Sequence, residues 1–163
     1  MLLTAKILLT LSSLGYSLIP VAFDSNKTHW FNPSWTPHAR FHCVWQVMSY
    51  VYMGILALFL IWTAGEDTRQ LWIAAILSVC AYGGFWTAVL FRPVYEGHLV
   101  DKVNGVPPFM IKIFGKKRAC DANVTLFTTA VLILFSATTF LALGSVAMAN
   151  HGTSATQIEK VSK

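Results

Sequence analysis

Four long stretches of almost unbroken apolar residues divide the chain. They run from Ile7 to Phe23 (extendable back to Leu2 past Lys6), from Phe41 to Ala64, from Leu71 to Phe91 and from Val124 to Ala149. Each is close to or above the ~17–20 residues that a helix needs to cross ~30 Å of hydrocarbon. No water reaches that depth, so a segment there must satisfy its own backbone hydrogen bonds, and a helix does so. The pattern predicts an all-α fold: an integral membrane four-helix bundle in one domain, with spans of about 2–23, 39–64, 69–91 and 121–149. Pro20 falls near the end of the first run, where it does least harm, and Gly54, Gly83, Gly84 and Gly144 sit where small residues permit close helix packing. The first run has the outline of a cleavable signal peptide, but Phe23 is a poor residue beside a cleavage site, so retention is expected. The polar stretch 150–163 reads as a disordered tail.

Between the runs, Gly65-Glu66-Asp67-Thr68 is short enough for an antiparallel helical hairpin, whereas the last connection is long. In it Pro107-Pro108 breaks any helix, and Phe109 to Phe114 followed by Gly115-Lys116-Lys117-Arg118 reads as an interfacial segment. Its apolar side chains would dip into the bilayer while its lysines meet phosphates.

Composition agrees: of 163 residues, 55% are hydrophobic and 12% charged, about half the charge of a soluble domain. The mean hydropathy is +0.57. The net charge of +5 comes from basic residues spread thinly or set beside apolar runs, which suits a lipid surface and gives no reason to expect nucleic acid. Lys27, Arg40, Arg92, Lys102, Lys112, Lys116, Lys117 and Arg118 share one side of a four-span topology; Lys6, Arg69, Lys160 and Lys163 share the other. The positive-inside rule then puts the two long loops in the cytoplasm of a multi-pass protein, in an endomembrane such as the endoplasmic reticulum if the cell is eukaryotic. The sequon Asn26-Lys27-Thr28 argues the other way, and a second, Asn123-Val124-Thr125, lies close to the membrane. Cys43, Cys80 and Cys120 form no CxxC pair and read as buried thiols, with a Cys43–Cys120 disulfide open if that side is oxidising. Oligomeric state is not encoded in any motif.

The unusual polar residues gather on the loop side. His29, His38, His42 and His98 lie there with Asp24, Glu96, Asp101 and Asp121, while His151 alone belongs to the tail. His38 and His42 are four apart and so share a helical face, which the sequence continues through Trp45, Gln46 and Ser49 as a polar stripe expected to face the bundle interior. Asp121 at a helix start is also an ordinary capping choice.

Three readings of these residues compete. One is an acid–base site with groups of separated pKa in a desolvated pocket. One is a metal site on His38 and His42, completed by His29 or Asp121, with the fixed charge of Arg40 counting against it. The last is interfacial anchoring by His, Arg and Trp. Trp30, Trp35, Trp45, Tyr82 and Trp86 could wall a pocket or simply pack.

The string Asn26-x-Thr28-His29-Trp30-x-Asn32-Pro33-x-Trp35-x-x-His38-Ala39-Arg40-Phe41-His42, with Gly84-Phe85-Trp86, Arg92-Pro93 and Asp121-Ala122-Asn123, resembles a family of small four-span membrane proteins of bacteria and fungi. In size and style the chain is also similar to small fungal membrane enzymes that open epoxides or cyclise polyketide and isoprenoid intermediates. The first resemblance implies functional roles for His29, Asn32, Trp35, His38, Arg40, His42, Arg92, Asp121 and Asn123. Together these give an expected function: a membrane-embedded enzyme acting by acid–base chemistry, without a cofactor or metal, on a lipophilic small molecule. Epoxide opening, cyclisation or isomerisation in secondary metabolism is its most concrete form.

In that scheme His38 or His42, held near Arg40, protonates the leaving oxygen. Asp121 activates the attacking water or hydroxyl, oriented by Asn32 and Asn123. His29, Trp35, Trp45, Gln46, Trp86 and Arg92 complete the substrate surface. A non-enzymatic membrane protein, such as a transport accessory or assembly subunit, is the alternative, and a histidine-ligated metal enzyme is a second.

Overall fold

The computed structural model describes residues 1–65 and 67–161, with backbone alone at 113 and 151–161. It consists of α1 (Leu2–Asp24), α2 (Pro37–Thr63), α3 (Thr68–Phe91), a single 3₁₀ turn (Arg92–Tyr95), the strands β1 (Phe109–Ile113) and β2 (Lys116–Cys120), and α4 (Ala122–Val161). All four α-helices are long and apolar enough to cross a membrane. The protein is an all-α membrane bundle carrying one small hairpin.

Local chemistry sets the helix starts. Pro37 fills the first position of α2, and the Thr36 hydroxyl accepts from the Ala39 amide at 3.2 Å. Asp67 caps α3 by accepting from the Arg69 amide at 2.9 Å, and Asp121 caps α4 by accepting from the Val124 amide at 2.9 Å. Pro20 lies late in α1, and the helix runs on to Asp24.

Helix α1 touches all three other helices, most broadly α2 and α4. Its inward column of Ala5, Leu9, Ser12, Ser13, Tyr16 and Ser17 is small or polar for much of its length. Serine is tolerated there because a helical hydroxyl can return to its own backbone: Ser17 donates to the Ser13 carbonyl at 2.7 Å. Across the bundle Tyr82 donates to the Ser12 carbonyl at 2.5 Å. Gly54 of α2 packs tightly against α1, since a Cβ there would stand 2.5 Å from that of Ser17. Large apolar side chains such as Tyr52, Phe59, Leu90 and Phe135 point outward, the reverse of a soluble bundle and the arrangement that a lipid solvent favours.

Two stretches differ from the sequence expectation. The interfacial segment is an antiparallel β-hairpin in which Phe109 pairs with Cys120 and Ile113 with Lys116. Its two-residue turn has both φ values positive, 48° at Phe114 and 79° at Gly115, the geometry that matches strand twist. Helix α4 does not stop at Ala149 but continues to Val161, through a stretch that has no proline to break it. Ser162 and Lys163, the end of the expected tail, and Glu66 lie outside the described residues.

Candidate functional site

The first loop folds back on the end of α1. Asn26 drives the reversal: its carboxamide oxygen accepts from the Thr28 amide at 2.7 Å, and its nitrogen donates to the Phe23 carbonyl at 2.8 Å. Backbone bonds from Trp30 to the Asp24 carbonyl and from Phe31 to the Asn26 carbonyl, each 3.0 Å, close the turn.

The result sets His29 against Asp24, with Nδ1 3.2 Å from Oδ1 and both side chains about three-quarters buried, at 26% and 21% exposure. The Thr28 hydroxyl lies 2.8 Å from the same Nδ1 and 3.2 Å from the Phe23 carbonyl. One proton arrangement serves every partner. The imidazole N–H points from Nδ1 to Asp24 and Thr28, and the Thr28 hydroxyl donates to Phe23. Nε2 is then left as a bare acceptor. Trp35 stands edge-on to the ring at 5.5 Å and fixes its plane.

Three adjoining cavities of about 230, 110 and 240 Å³ meet at this histidine, and both His29 and Asn123 line all three. The first is walled by Ile19, Phe23, Phe85, Leu126 and Phe127, with Gln46 and Tyr50 as its polar groups besides Asp24, His29 and Asn123. Gln46 donates to the Tyr50 hydroxyl at 3.0 Å, so the phenol's acceptor side is occupied while its own hydrogen remains available. The second is polar, with Thr28, Trp35, His98, Asp101 and Asp121 on its walls. The third opens beside Arg92, Tyr95 and His98.

Asn32 is wholly buried and fully used. Its nitrogen donates to the Thr28 carbonyl at 3.0 Å and to Asp101 Oδ2 at 3.2 Å, while its oxygen accepts from the Ser34 amide at 3.0 Å and the Asn104 amide group at 3.4 Å. It staples the first loop to the last and has no valence left for a substrate. Asp101 also accepts from the amides of Val103 and Asn104, and these bonds, with Asn32 after them, hold its carboxyl below the usual carboxylate range.

The structure brings together His29, Trp35, Gln46, Arg92, Asp121 and Asn123 of the residues singled out in the sequence. It does not bring His38, Arg40, His42 or Trp45 to them: none of the four lines any of these three cavities. The expected meeting of His38 and His42 with Asp121 does not occur. The inward face of α2 is marked by the buried residues Val47, Gly54, Ala57 and Ile61. At ~100° per residue, His42 lies roughly 140° and His38 roughly 180° around the helix from Val47. Both are exposed. Their Nε2 atoms pair with each other at 3.1 Å, and aromatic neighbours cover them, Trp45 at 5.7 Å from His42 and Phe41 at 6.3 Å from His38. Trp86 packs edge-on against Phe85 at 5.3 Å. Asp121 serves α4 as its cap and also lines the polar cavity.

Among the described residues no three of His, Cys, Asp or Glu come close enough together to hold a metal ion. His29 and Asp121, which were to complete a metal set, stand with the cavities and apart from the His38–His42 pair.

Asp24 and Tyr50 were missed as site residues. Each left a trace: Asp24 is the acid closing the first apolar run five residues before His29, and Tyr50 follows Gln46 by one helical turn. Comparison with known protein families, curated proteins and solved structures finds no match for this chain.

Proposed function

We propose that the protein is a membrane-embedded enzyme carrying out acid–base chemistry on a lipophilic small molecule, with His29 as the base. The observation that carries this reading is the His29–Asp24 pair, whose Nε2 is left unpartnered at the junction of three cavities. A histidine held in one tautomer by a carboxylate is the arrangement that general-base chemistry uses, because the carboxylate stabilises the imidazolium that forms. Tyr50 is the acid: Gln46 donates to its oxygen, which leaves its own hydrogen free to be given to a group in the cavity. The hydrocarbon body of the substrate rests on Phe23, Phe85, Leu126 and Phe127.

For epoxide opening the sequence of events balances as follows. His29 Nε2 removes a proton from water or from a hydroxyl of the substrate as its oxygen bonds to the epoxide carbon. The C–O bond breaks, and the departing oxygen takes the Tyr50 proton. Proton return from His29 to the phenolate restores the site, giving a diol or a cyclic ether. Isomerisation would use the same two groups on a C–H beside a carbonyl. The roles expected of His38, His42 and Arg40 pass to His29, Asp24 and Tyr50, and Asp121 keeps a polar wall and a helix cap. The similarity in style to small membrane enzymes of epoxide opening and cyclisation supports the same direction.

The test is a comparison of lipid-soluble metabolites in cells with and without the intact gene. One lipophilic compound should accumulate in its absence, related to a lost product by isomerisation or by one molecule of water. Indistinguishable profiles would contradict it and favour a non-enzymatic role.

A further inference from the structure

The β1–β2 hairpin is left unexplained by this chemistry. It is two strands only, it makes no extensive contact with any helix, and a lone two-stranded hairpin is marginal in water. Its register makes matters worse, because Lys112 stands directly across from Lys117. Counting from the two-residue turn, this is a non-hydrogen-bonded pair, the kind in which facing side chains come closest, and like charges there destabilise. No acid lies between Asp101 and Asp121 to offset them. Among the described residues the ion pairs are His29–Asp24 and Arg69–Asp67, so neither lysine has an acidic partner.

The two faces of the hairpin differ. Phe109 reaches the wall of the 230 Å³ cavity, so its face turns toward the bundle. Met110, Lys112 and Lys117 share the opposite face, with Met110 62% exposed, and Phe114 at the turn is entirely exposed. Strand β2 ends at Cys120, two residues before the membrane-spanning part of α4 begins at Ala122, so the hairpin is tied to the level of a membrane surface.

We propose that this hairpin is a headgroup clamp for an anionic phospholipid. Lys112 and Lys117 hold one phosphate between them, and Phe114 and Met110 insert among the neighbouring acyl chains. The lipid supplies both missing parts, a counter-charge for the cross-strand lysines and an apolar layer for the exposed face. None of Met110, Lys112, Phe114 and Lys117 lines a cavity at His29, so the proposal stands or falls apart from that site.

Hydrogen exchange of the full-length protein in nanodiscs tests this. In discs of phosphatidylcholine mixed with phosphatidylserine, amides of 109–120 should exchange roughly tenfold or more slowly than in phosphatidylcholine alone, as two basic groups at an anionic surface would produce. Amides of the spanning helices serve as the internal control. The double variant K112Q/K117Q removes the repulsion and keeps the strands, so it should exchange at one rate in both discs. Three results would each overturn the proposal: equal wild-type rates in the two discs, lipid-dependent protection that persists in K112Q/K117Q, or the same slowing produced by inorganic phosphate in phosphatidylcholine discs.

Discussion

Among single residues, Asn32 and His29 divide structure from chemistry within one short loop. Asn32 has both donors and both acceptor positions of its carboxamide occupied, and Asn32→Ala would leave the partners of a buried amide unpaired. The expected cost is about 1–3 kcal/mol, read as a lower thermal midpoint in detergent. Asp101 anchors the other end of that staple. Its carboxyl titrates below the usual carboxylate range, so the stabilisation it supplies is complete above the ordinary pKa and is lost as pH falls through the depressed one. Limited proteolysis between residues 99 and 108 should therefore stay slow from neutral pH down to the usual carboxylate range and accelerate only below it. In Asp101→Ala it should be fast throughout.

Element by element, the sequence told the lengths of the helices better than their orientation. A span is recognisable by the extent of its apolar run, and all four runs became helices. Their rotation was not legible, because α2 is apolar nearly all round and a lipid-facing side differs little in hydrophobicity from a packed one. The inward face carries Gly54 with Val47, Ala57 and Ile61, none of them more polar than the residues that face outward. That is why His38 and His42, a polar stripe on paper, fold to the outside. The hairpin was hidden for a different reason: Phe114-Gly115 lacks the Asn-Gly or Asp-Gly signature, and its strands do not alternate cleanly. Gly54 gives the prediction at this scale. Gly54→Leu drives a side chain into Ser17 and should force α1 and α2 apart, at a cost of about 1–3 kcal/mol, seen as a lower detergent-unfolding temperature. Gly83→Leu, where a Cβ meets nothing within 4 Å, should be nearly neutral by the same measurement.

For the whole molecule, the bundle and its two long loops make one sheltered polar spot at the end of an apolar frame. Helix α1 delivers Asp24, the Asn26 turn returns His29 to it, α2 contributes Gln46 and Tyr50, and the first turn of α4 places Asn123 at the cavity junction. The gathering of polar residues at one face was legible in the sequence. Which histidine it served was not, because that depends on a loop reversal and a helix phase that no local pattern states. The proposed chemistry therefore turns on His29. The most direct measurement compares conversion of the accumulating lipophilic compound by purified wild type, His29→Gln and His42→Gln in nanodiscs. With His29 as the proposed base, His29→Gln should be slowed by about 10²–10⁴-fold while still folded, and His42→Gln should stay within about twofold of wild type. Full activity in His29→Gln, or collapse of activity in His42→Gln alone, would contradict it.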